Sequence, residues 1–117
     1  MTLDEIDQLC TALPGCEVRY PFDSDVRAWC IGKKMFAWCA VGRTPLEIQI
    51  KADSTLVPYL VENYEFILPG YHMNKRHWIT VRGQESPAEM LASLIEDSHV
   101  LVARSLPRRE QIRLLGD

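Results

Sequence analysis

The side chains best suited to binding chemistry lie in eight consecutive positions near the middle of the chain, residues 71–78, with the sequence YHMNKRHW. Adjacent lysine and arginine side chains can pair with phosphate groups, arginine through two parallel hydrogen bonds. An asparagine amide can read a base edge, an aromatic ring can stack on a base, and histidines add hydrogen-bond donors. The segment therefore predicts a DNA-binding or nucleic-acid-associated loop with six candidate residues: His72, Asn74, Lys75, Arg76, His77 and Trp78.

The same segment is also compatible with a structural role. A polar loop between Pro69-Gly70 and a following strand needs hydrophilic residues whatever its function. Asn74 suits a tight turn, and Trp78 at the start of a strand suits a core position. The residues alone leave both interpretations open.

Charge is distributed unevenly along the chain. The 117 residues carry a formal net charge of −3, which argues against a strongly basic protein that coats nucleic acid without regard to sequence. Residues 66–82, however, contain three basic residues and no acidic one, for a net charge of +3. Residues 104–117 carry four arginines against two acids, a net +2, which also has an ordinary explanation as basic side chains near a helix C-terminus.

Recognisable metal-binding and catalytic signatures are missing from the sequence. The spacing of His72 and His77 matches no common ligand motif, and no glycine-rich phosphate loop occurs. The four cysteines form no C-x-x-C pair and lie among apolar neighbours, which predicts free, buried thiols: Cys10, Cys16, Cys30 and Cys39. We expect no cofactor, no metal and no enzymatic activity, with an enzyme or metal site around His72 and His77 as an alternative.

Helices and strands that position the basic segment can be read from periodicity. Apolar residues at helical spacing predict helices over 3–13, 54–64, 87–103 and 107–115. The sequences Thr2-x-x-Glu5 and Ser86-x-x-Glu89 have capping-box spacing, and Asp53 or Ser54 can cap the second helix. Alternation and β-branched content predict strands over 26–31, 35–41, 46–51, 66–68 and 78–82. Tight turns between strands predict an α+β fold, an antiparallel sheet with the N- and C-terminal helices packed on one face, in a single domain over residues 1–117.

Alternation also assigns side chains to the two faces of the sheet. In the strand over 46–51, Leu46, Ile48 and Ile50 are predicted to face the core, while Glu47, Gln49 and Lys51 face water. Three aromatic residues of the first hairpin, Trp29, Phe36 and Trp38, could share one face. If exposed, that face would form an apolar patch for a partner protein, which is the main alternative to nucleic-acid binding.

The sequence also bears on cellular location. No apolar run approaches the roughly 18 residues needed to cross a bilayer, and the acidic N-terminal residues 1–7 lack the features of a signal peptide. We therefore expect a cytoplasmic protein without membrane contact, and we favour a monomer.

Several stretches, spread over essentially the whole chain, resemble the MmcQ/YjbR family. The most specific is LPGYHMNKRHWITV at residues 68–81, and the stretches YPFDSDV at 20–26 and LIEDSH at 94–99 are also similar. The resemblance implies a CyaY-like (frataxin-like) fold and a DNA-binding protein with a double-wing motif, whose basic residues map to the six candidates above. The turn Arg82-Gly83-Gln84-Glu85 is shorter than that motif leads us to expect, which would shorten a wing at this tip.

The frataxin-like fold also suggests iron binding as a function to consider. That function relies on a ridge of acidic residues along a helix, and the first predicted helix offers only Asp4, Glu5 and Asp7. Because a shared fold does not carry function with it, we expect no iron site.

Overall fold

The computed structural model describes residues 1–71 and 73–116. Four helices and six strands follow one another along the chain: α1 (Leu3–Thr11), β1 (Glu17–Arg19), β2 (Val26–Ile31), β3 (Lys34–Ala40), β4 (Glu47–Lys51), α2 (Val57–Asn63), β5 (Ile67–Pro69), β6 (Trp78–Arg82), α3 (Ala88–Ala103) and α4 (Arg108–Leu115). Each predicted element is present within a few residues of its expected ends. The three-residue strand β1 was not predicted.

The strands form a single antiparallel sheet in the order β1-β2-β3-β4-β6-β5. Neighbours in sequence pair from β1 to β4, with a two-residue turn between β2 and β3 and a six-residue connection on either side of that hairpin. The exception is β4, which pairs with β6 because α2 and β5 are inserted between them. Both outermost strands, β1 and β5, are only three residues long. The predicted α+β class and antiparallel sheet are confirmed.

One hydrophobic core lies between the sheet and the helices. The longest helix, α3, packs across β2, β3 and β4, where its residues Leu91, Ile95 and Val102 are fully buried. Residues of α1, α2 and α4 join the same apolar cluster, so the helices cover one face of the sheet, as predicted.

Two polar side chains of α3 fix its position over the sheet. The Ser98 hydroxyl donates a 2.6 Å hydrogen bond to the Phe36 carbonyl. The Nε2 atom of His99 lies 2.7 Å from the Pro14 carbonyl oxygen, and the His99 ring meets the Phe36 ring edge-on at 5.4 Å. Because His99 is 2% exposed and already bonded within the core, it serves packing.

The predicted helix caps have different outcomes. The Thr2–Glu5 capping box is present, with both reciprocal hydrogen bonds formed. The Ser86–Glu89 box was a wrong prediction, because Pro87 takes the N-cap position and α3 begins one residue later than that spacing requires. Asp53 caps a turn ahead of α2, where its Oδ1 accepts from the backbone N–H and the hydroxyl of Thr55 at 2.8 and 2.7 Å.

The first hairpin divides its aromatic residues between the two faces of the sheet. Trp29 and Phe36 are fully buried in the core, whereas Trp38 pairs with Ala28 and lies on the face opposite the helices, here called the open face. A register irregularity between Trp29 and Cys30 shifts the alternation along β3. The prediction that these three aromatic residues share one face was therefore wrong.

The alternation of β4 is confirmed for its apolar residues only. Ile48 and Ile50 are fully buried. Gln49 was predicted to face water but is only 5% exposed, because neighbouring residues cover it on the open face.

Candidate nucleic-acid interface

Lys75 and Arg76 are the exposed cations of the loop between β5 and β6. Neither forms an ion pair within residues 1–71 and 73–116. Together with residues from the turn before α2 they line a shallow depression of about 390 Å³, here called the basic concavity. Its lining residues are Ser54, Thr55, Val57, Pro58, Lys75 and Arg76. Two adjacent cations with no ion pair among the described residues suit a phosphate.

Asn74 supports the loop from within. Its side-chain Oδ1 accepts a 2.9 Å hydrogen bond from the backbone N–H of Arg76, and its carbonyl accepts one of 3.0 Å from His77. These bonds form an Asx turn that directs the chain through Lys75 and Arg76. The side-chain oxygen of Asn74 therefore already accepts a hydrogen bond within the protein. In this structure Asn74 positions Lys75 and Arg76.

Trp78 is packed into the sheet. It is 7% exposed, and its carbonyl accepts a 3.1 Å hydrogen bond from the Gly70 N–H. An indole ring buried to this degree does not present its face to a base. His77 is half-buried and its carbonyl bonds to the Ala52 N–H at 2.8 Å. The candidate residue His72 lies outside the described residues.

The basic concavity also has an acidic neighbour. Two hydrogen bonds from Thr55, the backbone one first, lower the pKa of the Asp53 carboxyl because they stabilise its charged form. Asp53 is therefore ionised at neutral pH and consumes the donors of Thr55. Binding of an anion at this surface depends mainly on Lys75 and Arg76.

The second basic segment is partly neutralised within the protein. Arg113 forms a salt bridge with Glu110 on the same face of α4. Arg108 and Arg109 are exposed and have no ion pair within the described residues. They lie on α4, away from the loop in sequence, and provide a matched pair of charges for comparison with Lys75 and Arg76.

The four cysteines are free, as predicted. Burial raises the pKa of every thiol: that of Cys16 and Cys39 to about 11, that of Cys30 less strongly, and that of Cys10 furthest. Thiols with raised pKa values hold little thiolate at neutral pH and are poor nucleophiles. No group of three or more His, Cys, Asp or Glu residues within the described chain could hold a metal ion.

Cys39 provides a pH-dependent test of stability. Burial is the main cause that raises its pKa from 9.0 to about 11. Because the folded-state pKa exceeds the unfolded one, the stability from the neutral thiol is complete below pH 9.0 and is lost as pH rises toward 11. Between pH 7 and pH 10, the wild type should lose about 1 kcal/mol more free energy of unfolding than Cys39→Ala.

Urea unfolding followed by circular dichroism measures this difference. For each protein, the free energy of unfolding at pH 10 is compared with its own value at pH 7. The constant destabilisation caused by removing the sulfur atom therefore cancels. An identical loss in both proteins would show that the Cys39 thiol ionises as freely in the folded state as in the unfolded one.

Within residues 1–71 and 73–116, none of the helices is both long enough and apolar enough to cross a membrane.

Comparison with known proteins places this fold and its central motif in a family. The YjbR family model matches residues 11–101, so the chain belongs to the YjbR family. It is 37% identical over 108 residues to the uncharacterized protein YbdF of Escherichia coli O157:H7, covering 92% of this chain and 88% of that protein. It is 26% identical over 112 residues to the uncharacterized protein YjbR of Escherichia coli K12, covering 95% of each.

Two solved structures share the fold. The crystal structure of Deinococcus radiodurans protein DR2400, with domain DUF419, superposes with a TM-score of 0.89 at 31% identity, covering 97% of this chain and 87% of that one. A crystal structure of a Pseudomonas syringae protein gives a TM-score of 0.72 at 26% identity, covering 84% and 96%. These likenesses confirm the family resemblance and the α+β architecture. The CyaY-like assignment and the double-wing motif stay predictions.

Proposed function

We propose that this YjbR-family protein is a non-catalytic accessory protein that binds DNA through the basic concavity. The observation that carries the proposal is the pair of exposed side chains Lys75 and Arg76, which have no carboxylate partner in the described part of the chain. The rest of the molecule is predominantly acidic, so the pair is a local exception to the net charge of −3. The four free cysteines agree with a reducing compartment, and we place this function in the cytoplasm.

Two phosphate contacts define the expected strength and salt dependence. Each contact releases counterions and contributes about −0.9 to the slope of log K against log salt on duplex DNA. Two contacts give a slope of roughly −2, and a third from a neighbouring residue gives roughly −3. Binding should therefore be modest, weakly dependent on base sequence and sensitive to salt.

The direct test is the double variant Lys75→Ala/Arg76→Ala, titrated against a labelled duplex by fluorescence anisotropy. Loss of both phosphate contacts should weaken binding at least about tenfold at low salt and flatten the salt dependence. Both side chains are exposed, so the fold should be retained, which a circular dichroism spectrum checks.

The matched control is Arg108→Ala/Arg109→Ala, which removes the same two charges from α4. The proposal expects this control to bind nearly as well as the wild type. Unchanged binding by the loop variant, or an equal loss in both variants, would remove the basic concavity from the function.

A further inference from the structure

A second concave site lies on the open face of the sheet. Its floor is a cross-strand row in which Trp38 of β3, Gln49 of β4 and Thr80 of β6 are register partners. The turn after β3 and the segment after β5 form its rim. The pocket has a volume of about 260 Å³ and is lined by Trp38, Ala40, Arg43, Glu47, Gln49 and Tyr71.

The segment after β5 covers part of this row. The Tyr71 N–H donates to the Thr80 hydroxyl at 3.4 Å, and that hydroxyl lies 3.1 Å from the Pro69 carbonyl oxygen. Thr80 is consequently fully buried and Gln49 is 5% exposed, although the apolar core shared with the helices lies on the other face of the sheet. The sheet thereby places two uncharged polar side chains at the bottom of a partly closed cavity.

The Gln49 amide is oriented by its neighbour. Its Oε1 accepts a 2.7 Å hydrogen bond from the Thr80 hydroxyl. Its Nε2 makes no hydrogen bond with any described residue, and it is the amide's only donor group. Gln49 therefore offers N–H groups that have no partner among the described residues, on a side chain that lines the pocket.

Trp38 presents a stronger anomaly. Its indole Nε1 is shielded from solvent and has no hydrogen-bond partner within the described chain. A buried donor without an acceptor costs about 1–3 kcal/mol, and such groups are uncommon in folded proteins. Trp38 lines the pocket, and turning its shielded N–H group toward the pocket would let an acceptor on a bound molecule satisfy it.

Charged groups complete the rim. The Glu47 side chain is only 13% exposed and its Oε1 lies 3.5 Å from Arg43 Nη2. Arg43 is 60% exposed, so it can turn toward an anion at the mouth without losing its contact with water. The pocket thus combines a carboxylate acceptor, two unpaired donors, an aromatic wall and an outer cation.

We propose that this pocket binds a single guanine base. Guanine carries an N1–H and an exocyclic amino donor beside O6 and N7 acceptors. The donors match the Glu47 carboxylate, and the acceptors match the N–H groups of Gln49 and Trp38, the Trp38 ring turning its N–H toward the ligand. Tyr71 gives the base a ring to contact, and Arg43 meets a phosphate outside the pocket.

The pocket's size supports a ligand of this class. Its volume of about 260 Å³ is at the lower end of small-molecule sites, which begin near ~300 Å³. A single fused ring system is of a size suited to that space. The base could come from a free nucleotide or from an unpaired position in a strand, and the site does not depend on the basic concavity.

The experiment uses guanosine 5′-monophosphate and the ¹⁵N-labelled protein. The three tryptophans give three indole N–H resonances, and Trp38→Phe identifies the one from Trp38. On titration we expect that resonance to move downfield as its N–H gains an acceptor. We expect Trp38→Phe and Glu47→Gln each to weaken binding about tenfold, and adenosine 5′-monophosphate to bind more weakly because it lacks the N1–H donor.

A second titration distinguishes the two sources of the base. A short oligothymidylate with one central guanine is compared with the free nucleotide, in the wild type and in Lys75→Ala/Arg76→Ala. Tighter binding of the oligonucleotide, reduced by that variant, identifies a base from a strand. Binding of the free nucleotide alone, unchanged in that variant, identifies a small-molecule site.

The result that overturns the inference is a Trp38 indole resonance unmoved by either ligand. Equal binding by Glu47→Gln and wild type would also overturn it, because the carboxylate is the group that selects guanine. Neither result bears on duplex binding through Lys75 and Arg76, which is measured separately.

Discussion

Gly70→Ala should destabilise the protein by about 3 kcal/mol, enough to lower its melting temperature by roughly 10 °C. Gly70 follows β5, where its N–H bonds to the Trp78 carbonyl at 3.1 Å. A Cβ atom there would lie 2.6 Å from the Trp78 carbonyl oxygen and 2.7 Å from its Cβ. Since the first of these contacts is with backbone, a rotamer change cannot relieve it, and β5 must move away from β6.

Gly83→Ala is the matched control. Gly83 is also buried, but the nearest atoms to a Cβ there would be side-chain atoms of Leu46 at 3.4 Å and of Ile6 at 3.8 Å, which are ordinary contacts. We expect a change within about 1 kcal/mol for this variant. Urea unfolding of both proteins measures the difference, and equal stability of the two variants would mean that the β5–β6 pairing is not tight at Gly70.

The second large effect is expected at Trp29. Its Nε1 donates a 2.9 Å hydrogen bond to Asp7 Oδ1, and the side chain is fully buried between α1 and the sheet. Trp29→Phe removes a hydrogen bond to a carboxylate and leaves a cavity, with an expected cost of about 3 kcal/mol. Far-UV circular dichroism in urea is the suitable measurement, because the fluorescence itself changes with the substitution.

Trp38→Phe makes the same chemical change at an N–H group that has no partner among the described residues. The substitution removes an unsatisfied donor, so part of the cost of the smaller ring is offset. We expect a loss of less than about 1 kcal/mol. If Trp38→Phe proved as destabilising as Trp29→Phe, the Trp38 N–H would have to be hydrogen bonded in the free protein.

Local pattern was sufficient to predict most elements of the fold. The alternation of residues 46–51 identified β4, and the Thr2–Glu5 spacing identified the start of α1. The Ser86–Glu89 spacing led to a wrong N-cap, because a helix that begins at Pro87 and one that begins at Ala88 give the same sequence pattern. In the structure Pro87 is the N-cap and the helix begins at Ala88. Strand β1 has only three residues, too few for alternation to be recognised.

Features that depend on distant parts of the chain could not be predicted in this way. The bulge near Trp29 is decided by the pairing of two strands, and it determines on which face each aromatic residue lies. The burial of Gln49 depends on a segment about 20 residues further along the chain. Exposure of Lys75 and Arg76 was predictable from their loop, but the neighbouring Ser54 and Thr55 come from a separate turn.

The short outer strands have a consequence for how other macromolecules can engage this protein. An extended peptide that adds to a sheet needs a row of free backbone N–H and C=O groups on the edge strand of that sheet. Here the two edge strands, β1 and β5, have only three residues each, and Pro69 in β5 has no backbone N–H to donate. Sheet extension, including fibril-like stacking, is disfavoured, so recognition of this protein should proceed through side chains.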